Sequence, residues 1–170
     1  SRIAEATGLK RASLYHRFPG GKEEMAEAVL KRADDWFVSH ILAPLNEPGD
    51  PSPRVQEMAK RLSDFYGGGC HSCLLSSLSV GEEDVAIRKH IERSFEAWLD
   101  ALIGVARQAG LSPTEAKDRA QDALVGIQGA LILARATGEK KPFARVLKNL
   151  PQLLTLDSKK SKPKTKRSKS

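Results

Sequence analysis

Apolar residues return every three or four positions along most of this chain, and the strict alternation of a half-buried strand is missing. Segment 21–41 places Met25, Val29, Ala33, Trp36 or Phe37, and Ile41 on one helix face, with Glu23 and Glu24 in the first turn, where the helix dipole favours negative charge. Pro44 is expected to stop this helix, and the four prolines between 44 and 53 mark a turn-rich loop. The next helix follows the template most cleanly, through Val55, Met58, Ala59, Leu62, Phe65 and Tyr66. Ser52 is its expected cap, Pro53 suits its first turn, and the glycines at 67–69 end it.

CHSCLLSSLS then reads as a short buried helix. Glu82, Glu83 and Asp84 open a long helix reaching 109, striped by Ile87, Ile91, Phe95, Trp98 and Leu102 and widened by Leu99 and Ile103. Gly110 and Leu111 have the form of a helix C-cap, and Ser112-Pro113-Thr114-Glu115 that of a capping box. Helix 114–137 threads small residues among Leu124, Ile127, Leu131 and Leu133, and Gly138 ends it. Pro142 and Phe143 open a last one-sided helix with an expected break near Pro151. The fold class predicted is all-α.

The first 22 residues carry the most specific pattern, IAEATGLKRASLYHRFPGGK from Ile3. Ala4 allows close helix approach, Gly8 is free to turn with positive φ, and Leu9 and Leu14 face a core: the requirements of a helix-turn-helix. Lys10, Arg11 and Ser13 then face outward, with Tyr15, His16 and Arg17 continuing that surface, as a DNA-recognition helix needs. Lys10, Arg11, Ser13 and His16 are candidates for base edges or nearby phosphates, and Tyr15, Arg17 and Lys22 for the backbone.

Charge sharpens this picture. The net charge is +7, yet the last 14 residues hold seven Lys or Arg against one Asp, and the first 22 hold five against one Glu. The body between is mildly acidic, which suits a DNA surface concentrated at one end. Residues 157–170 lack apolar side chains and are expected to be disordered, adding non-specific DNA affinity or solubility. The longest apolar run, from Ala123, is too short for a bilayer and is interrupted by Gln128, and the start does not resemble a signal peptide, so no membrane partner is expected and the cytoplasm is the default.

No Ser-His-Asp set, nucleotide loop, paired catalytic carboxylates or metal cluster is recognised, so no enzyme and no cofactor is expected. Cys70 and Cys73 flank His71 in a C-x-x-C, but zinc takes four ligands and no second pair stands at suitable spacing, leaving small-hydrophobe packing as the plainer role.

Leu14, Tyr15, Phe18 and Lys22 together resemble the end of the recognition helix in the TetR family of bacterial repressors, and Pro19-Gly20-Gly21 is similar to the loop of its YxaF and LmrA subgroup. CLL from Cys73 and GIQGALILARATGEKKPFARVLKNL from Gly126 resemble that subgroup as well. The resemblance implies a helix-turn-helix DNA-binding domain over 1–22, an effector-binding and dimerisation domain over 23–156, and a basic tail over 157–170. Helix 21–41 becomes the connecting helix, with Lys22 reaching a phosphate.

The resemblance also implies a near-palindromic double-stranded operator, a homodimer, and a small hydrophobic effector that releases the DNA. Leu62, Phe65, Tyr66, Leu74, Trp98 and Leu102 are the expected effector walls. Ala123, Gly126, Ile127, Ala130, Leu131, Phe143, Leu147 and Leu150 are the expected dimer face. The family's first helix is expected to be missing, because Ser1 already stands at the start of the second. That would leave Ile3, Leu9, Leu14 and Phe18 exposed, weaken operator binding, and keep alive an alternative, a dimeric small-molecule-binding protein without a DNA role.

Overall fold

A computed structural model describes residues 2–78 and 85–156, and every regular element among them is helical. Two short helices, α1 (Arg2–Thr7) and α2 (Arg11–Arg17), lead into the long α3 (Gly21–Phe37). Five further helices follow: α4 (Pro51–Phe65), α5 (Leu74–Leu78), α6 (Val85–Gln108), α7 (Pro113–Thr137) and α8 (Lys141–Leu154). The expected acidic first turn at Glu82 to Asp84 and the basic tail lie outside the described residues.

The main core is built where α4, α6, α7 and α8 meet. Trp98, Phe143, Met58, Leu62, Leu102, Ile127 and Leu150 are almost wholly withdrawn from water there, each large apolar side chain contributing about 1.5–3 kcal/mol. A smaller cluster of Leu30, Ile87 and Ile91 ties α3 to α6. The α1–α2 hairpin is therefore carried on a helix anchored to the body near its middle.

The C-terminal half follows its sequence signals closely. Gly110 takes φ 94° and Leu111 N–H reaches back to the Ala106 carbonyl at 3.2 Å, closing α6. Ser112 and Glu115 then exchange both bonds of the capping box: Glu115 N–H to Ser112 Oγ at 3.3 Å, and Ser112 N–H to Glu115 Oε2 at 3.2 Å.

Four expectations need correction. The α4 cap is Asp50 rather than Ser52: its Oδ1 accepts the Ser52 N–H at 3.0 Å, and Pro51 and Pro53 both fall in the first turn, where a missing N–H costs nothing. The α-geometry of α3 stops at Phe37, passing into a π-helical turn, Val38–Leu42, and a 3-10 turn, Ala43–Asn46. Pro44 has no N–H for the His40 carbonyl, which accepts from Arg61 Nη1 at 3.0 Å instead.

The α8 helix runs through Pro151 without a break, because Leu150 and Leu154 on either side are fully buried and only the last turn loses a bond. Finally, α5 is not buried: Leu74 is 43% exposed, and the preceding Cys73 is the residue that enters the core.

One buried charge holds these parts in register. Arg54, 8% exposed, donates Nη1 to the Leu45 carbonyl at 3.0 Å and to the Glu47 carbonyl, and Nη2 to Gln108 Oε1. It pins the turn after α3 to the end of α6.

Candidate functional site

At the head, Gly8 takes φ 67° and lets α2 follow α1 at once; a Cβ there would meet nothing, so the demand is on the backbone alone. Lys10, Arg11, Ser13, Tyr15, His16 and Arg17 are all exposed on α2 or just before it, and Lys22 is exposed in the first turn of α3. The Arg11 guanidinium lies over the Tyr15 ring, 5.7 Å from its centroid, so two of the candidate DNA contacts are held as a pair. Gly21, at φ 76°, returns the chain into α3 beside the Tyr15 ring.

Leu14 is buried, against the expectation that it would lie open, and Phe18 is half-buried. Both turn inward as the Phe18-to-Gly21 turn brings α3 back toward α2. Leu9 is half-exposed, and the side chain of Ile3 lies outside the described residues.

Behind the head, α3, the 66–75 segment and α6 enclose a cavity of about 800 Å³, a volume typical of small-molecule sites. Phe65, Tyr66, Leu74 and Trp98 line it as expected. Leu62 and Leu102 do not: both are fully buried in the main core, which removes them as walls. Phe37, which periodicity placed on the buried stripe, and Leu30 and Leu42, which the sequence reading did not single out, supply further apolar lining.

The rings form a connected set. Phe37 meets Trp98 edge-on at 4.9 Å and Phe65 at 5.5 Å, and Phe65 meets Tyr66 at 4.9 Å. Burial pushes the Tyr66 hydroxyl far above its ordinary pKa, and the Cys73 thiol beside it adds to the effect, so the phenol stays neutral.

One wall is polar. Asp34 of α3 faces His90 and Ser94 of α6: Ser94 Oγ donates to Asp34 Oδ2 and also lies 2.8 Å from the His90 carbonyl, while His90 Nε2 stands 2.6 Å from the same carboxylate oxygen without aligning as a hydrogen bond. The sequence held a hint, since His90 and Ser94 are four apart and share a helix face. Their acidic partner is about 60 residues away and carries no local signal. These residue types are those of a hydrolytic triad, but the hydroxyl donates to the carboxylate and not to the imidazole, so no base stands on the nucleophile.

The cysteines diverge. Cys73 is buried against Tyr66, whereas Cys70 is exposed and its sulfur beside the Lys140 ammonium raises that lysine's pKa. His71 turns its Nδ1 toward the Phe65 carbonyl at 3.3 Å. The C-x-x-C is thus split between three neighbours.

The expected dimer face is corrected by its own burial. Ala123, Ile127, Ala130, Leu131, Phe143, Leu147 and Leu150 all lie in the core of the single chain, and Gly126 receives Val146 of α8. They are consumed by α7 packing on α6 and α8. The apolar residues that α7 leaves outside are Val125, Ile132 and Leu133, with Gly129 open among them.

Residues 53–149 match the family model described as transcriptional regulator LmrA/YxaF-like, C-terminal domain. The HTH-type transcriptional regulator LmrA of Bacillus subtilis (strain 168) is 24% identical over 160 residues, covering 91% of this chain and 84% of that protein. The uncharacterized HTH-type transcriptional regulator YxaF of the same organism is 25% identical over 161 residues, covering 91% and 83%. Among solved structures, a TetR transcriptional regulator from Legionella pneumophila superposes with TM-score 0.79 at 23% identity, covering 89% of this chain and 83% of that one. SCO4454, a TetR-family regulator from Streptomyces coelicolor, gives 0.77 at 19%, covering 90% and 81%; these two likenesses bear on the fold.

Proposed function

The chain belongs to the TetR family of transcriptional regulators, with an LmrA/YxaF-like C-terminal domain, and on that premise we propose that it represses transcription from a near-palindromic operator and is released by a small, largely apolar effector. The reading rests above all on one arrangement: α3 carries the exposed basic surface of α2 at one end and forms a wall of the aromatic cavity along its length. A ligand that favours one placement of α3 changes the spacing of two reading heads, so ligand and operator compete through a coupling free energy.

In this proposal Arg11 reads a base edge, with Lys10, Ser13 and His16 beside it, while Tyr15, Arg17 and Lys22 hold the phosphates. The homodimer forms through the outer face of α7, on Val125, Gly129, Ile132 and Leu133. A second groove of about 1220 Å³ between α4 and α8 is lined largely by polar side chains such as Asp50, Lys60 and Gln152, which suits an apolar effector less well.

The test is selection of bound sequences from a random DNA library, followed by gel shifts with single-base variants of the winner. Arg11→Ala is expected to lose about 1–3 kcal/mol and relax preference at one position. Lys22→Ala is expected to weaken all sequences alike and lower the salt slope by about one. Failure of any sequence to be enriched would remove the operator from the proposal.

A further inference from the structure

We infer that the effector is a largely apolar molecule bearing a hydrogen-bond donor, that its donor takes Asp34, and that the Asp34–Ser94 bridge it replaces is the contact through which the cavity's occupancy reaches α3. This rests on the effector reading above and names the chemistry of that site.

Rings and aliphatic side chains make up much of the cavity's lining, Glu24, Glu27, Lys31, Lys89 and Arg93 also border it, and its polar wall on α3 and α6 is built around the Asp34 carboxylate, which only accepts hydrogen bonds. A ligand donor has a partner there, whereas a ligand acceptor facing Asp34 does not. The charges around the cavity include Lys31, paired with Asp35 at 2.7 Å, and Lys89 and Arg93 of α6, so the demand for a donor is set at Asp34 and not by the net charge of the ligand.

The bridge is also easily exchanged. Ser94 has one hydroxyl proton and two acceptors within reach, Asp34 Oδ2 and the His90 carbonyl at 2.8 Å on its own helix. When a ligand donor occupies Asp34, the serine turns to its fallback and no buried donor is orphaned. The exchange moves a hydrogen bond from between α3 and α6 to within α6. What then remains between the two helices includes the His90 contact, the edge-on meeting of Phe37 with Trp98, and the packing of Leu30 on Ile87 and Ile91.

Three diphenyl probes separate the possibilities: benzhydrol carries a donor, benzophenone an acceptor only, and diphenylmethane neither. Calorimetric titration of the full chain is expected to show benzhydrol bound about tenfold more tightly than either of the others. Asp34→Ala should erase that preference while leaving diphenylmethane affinity unchanged, which also shows the cavity intact. Ser94→Ala should tighten benzhydrol further by removing its competitor. Hydrogen exchange over residues 21–37 should quicken with saturating benzhydrol, and in Ser94→Ala alone, but not with diphenylmethane.

Equal affinity for the three probes, no binding of any, or a benzhydrol preference that survives Asp34→Ala overturns the ligand chemistry. Unchanged exchange in α3 overturns the coupling. None of these measurements uses DNA, so operator selection can fail or succeed independently of them.

Discussion

Ser112 and Glu115 exchange hydrogen bonds at the head of α7, and the neighbouring hydroxyl and backbone N–H of Ser112 hold the Glu115 carboxyl below its ordinary value of 4.5. A carboxyl whose folded pKa is depressed adds stability above its unfolded pKa and loses it as pH falls through the folded one. Ser112→Ala removes the side-chain cap of α7 and is expected on that ground to cost about 1 kcal/mol near neutrality. The gap between wild type and variant should narrow as pH drops below 4.5, which urea midpoints across an acid series would measure. This cap was legible because both partners lie within one turn. Arg54 was not, since the Leu45 carbonyl is nine residues away and Gln108 is 54; an arginine in an amphipathic helix reads as solvent-facing until the fold supplies its acceptors. Arg54→Met should cost about 2–4 kcal/mol, because it strips the donor from several buried acceptors. A chevron or urea titration would report it.

At the scale of elements, helix existence was written in the 3.6-residue period, while helix junctions were written only where a glycine or capping box stood. The turn into α2 belongs to the first kind of junction: Gly8 sits at φ 67° with open space where a Cβ would go. Gly8→Val is therefore expected to act through backbone strain alone, of about 1–2 kcal/mol. That strain should fall on the head, lowering affinity for selected DNA about five- to thirtyfold while the melting of the α4–α8 core, followed by circular dichroism, moves little. The passage from α3 through a π turn to a 3-10 turn was the unreadable kind. Pro44 announced a stop, but which carbonyl it would orphan, and that Arg61 from the next helix would serve it, depended on how α4 packs back. The cavity shares this character. Its aromatic walls were proposed through the family resemblance, whereas Asp34, His90 and Ser94 became a site only when α3 and α6 were laid side by side.

At the scale of the whole molecule, α7 had too many apolar and small positions for one face, and sequence alone could not say which belonged to the chain's own core. Packing of α7 on α6 and α8 takes Ala123, Ile127, Ala130 and Leu131 into the core, leaving Val125, Ile132 and Leu133 exposed at 71%, 61% and 52%. Gly129 among them offers a point where a second helix could approach closely, since nothing stands within 4 Å of its missing Cβ. The two assignments predict opposite behaviour for two glutamates. Ile132→Glu places a charge on an exposed face, so the chain should fold normally, with its helical circular dichroism intact, while the dimer dissociation constant rises at least a hundredfold through the burial of an unpaired carboxylate. Ala123→Glu forces the same charge into a fully buried position and should prevent folding altogether. Sedimentation velocity at micromolar concentration separates the outcomes: a folded monomer from Ile132→Glu supports the outer face of α7, and an undisturbed dimer from that variant moves the interface elsewhere.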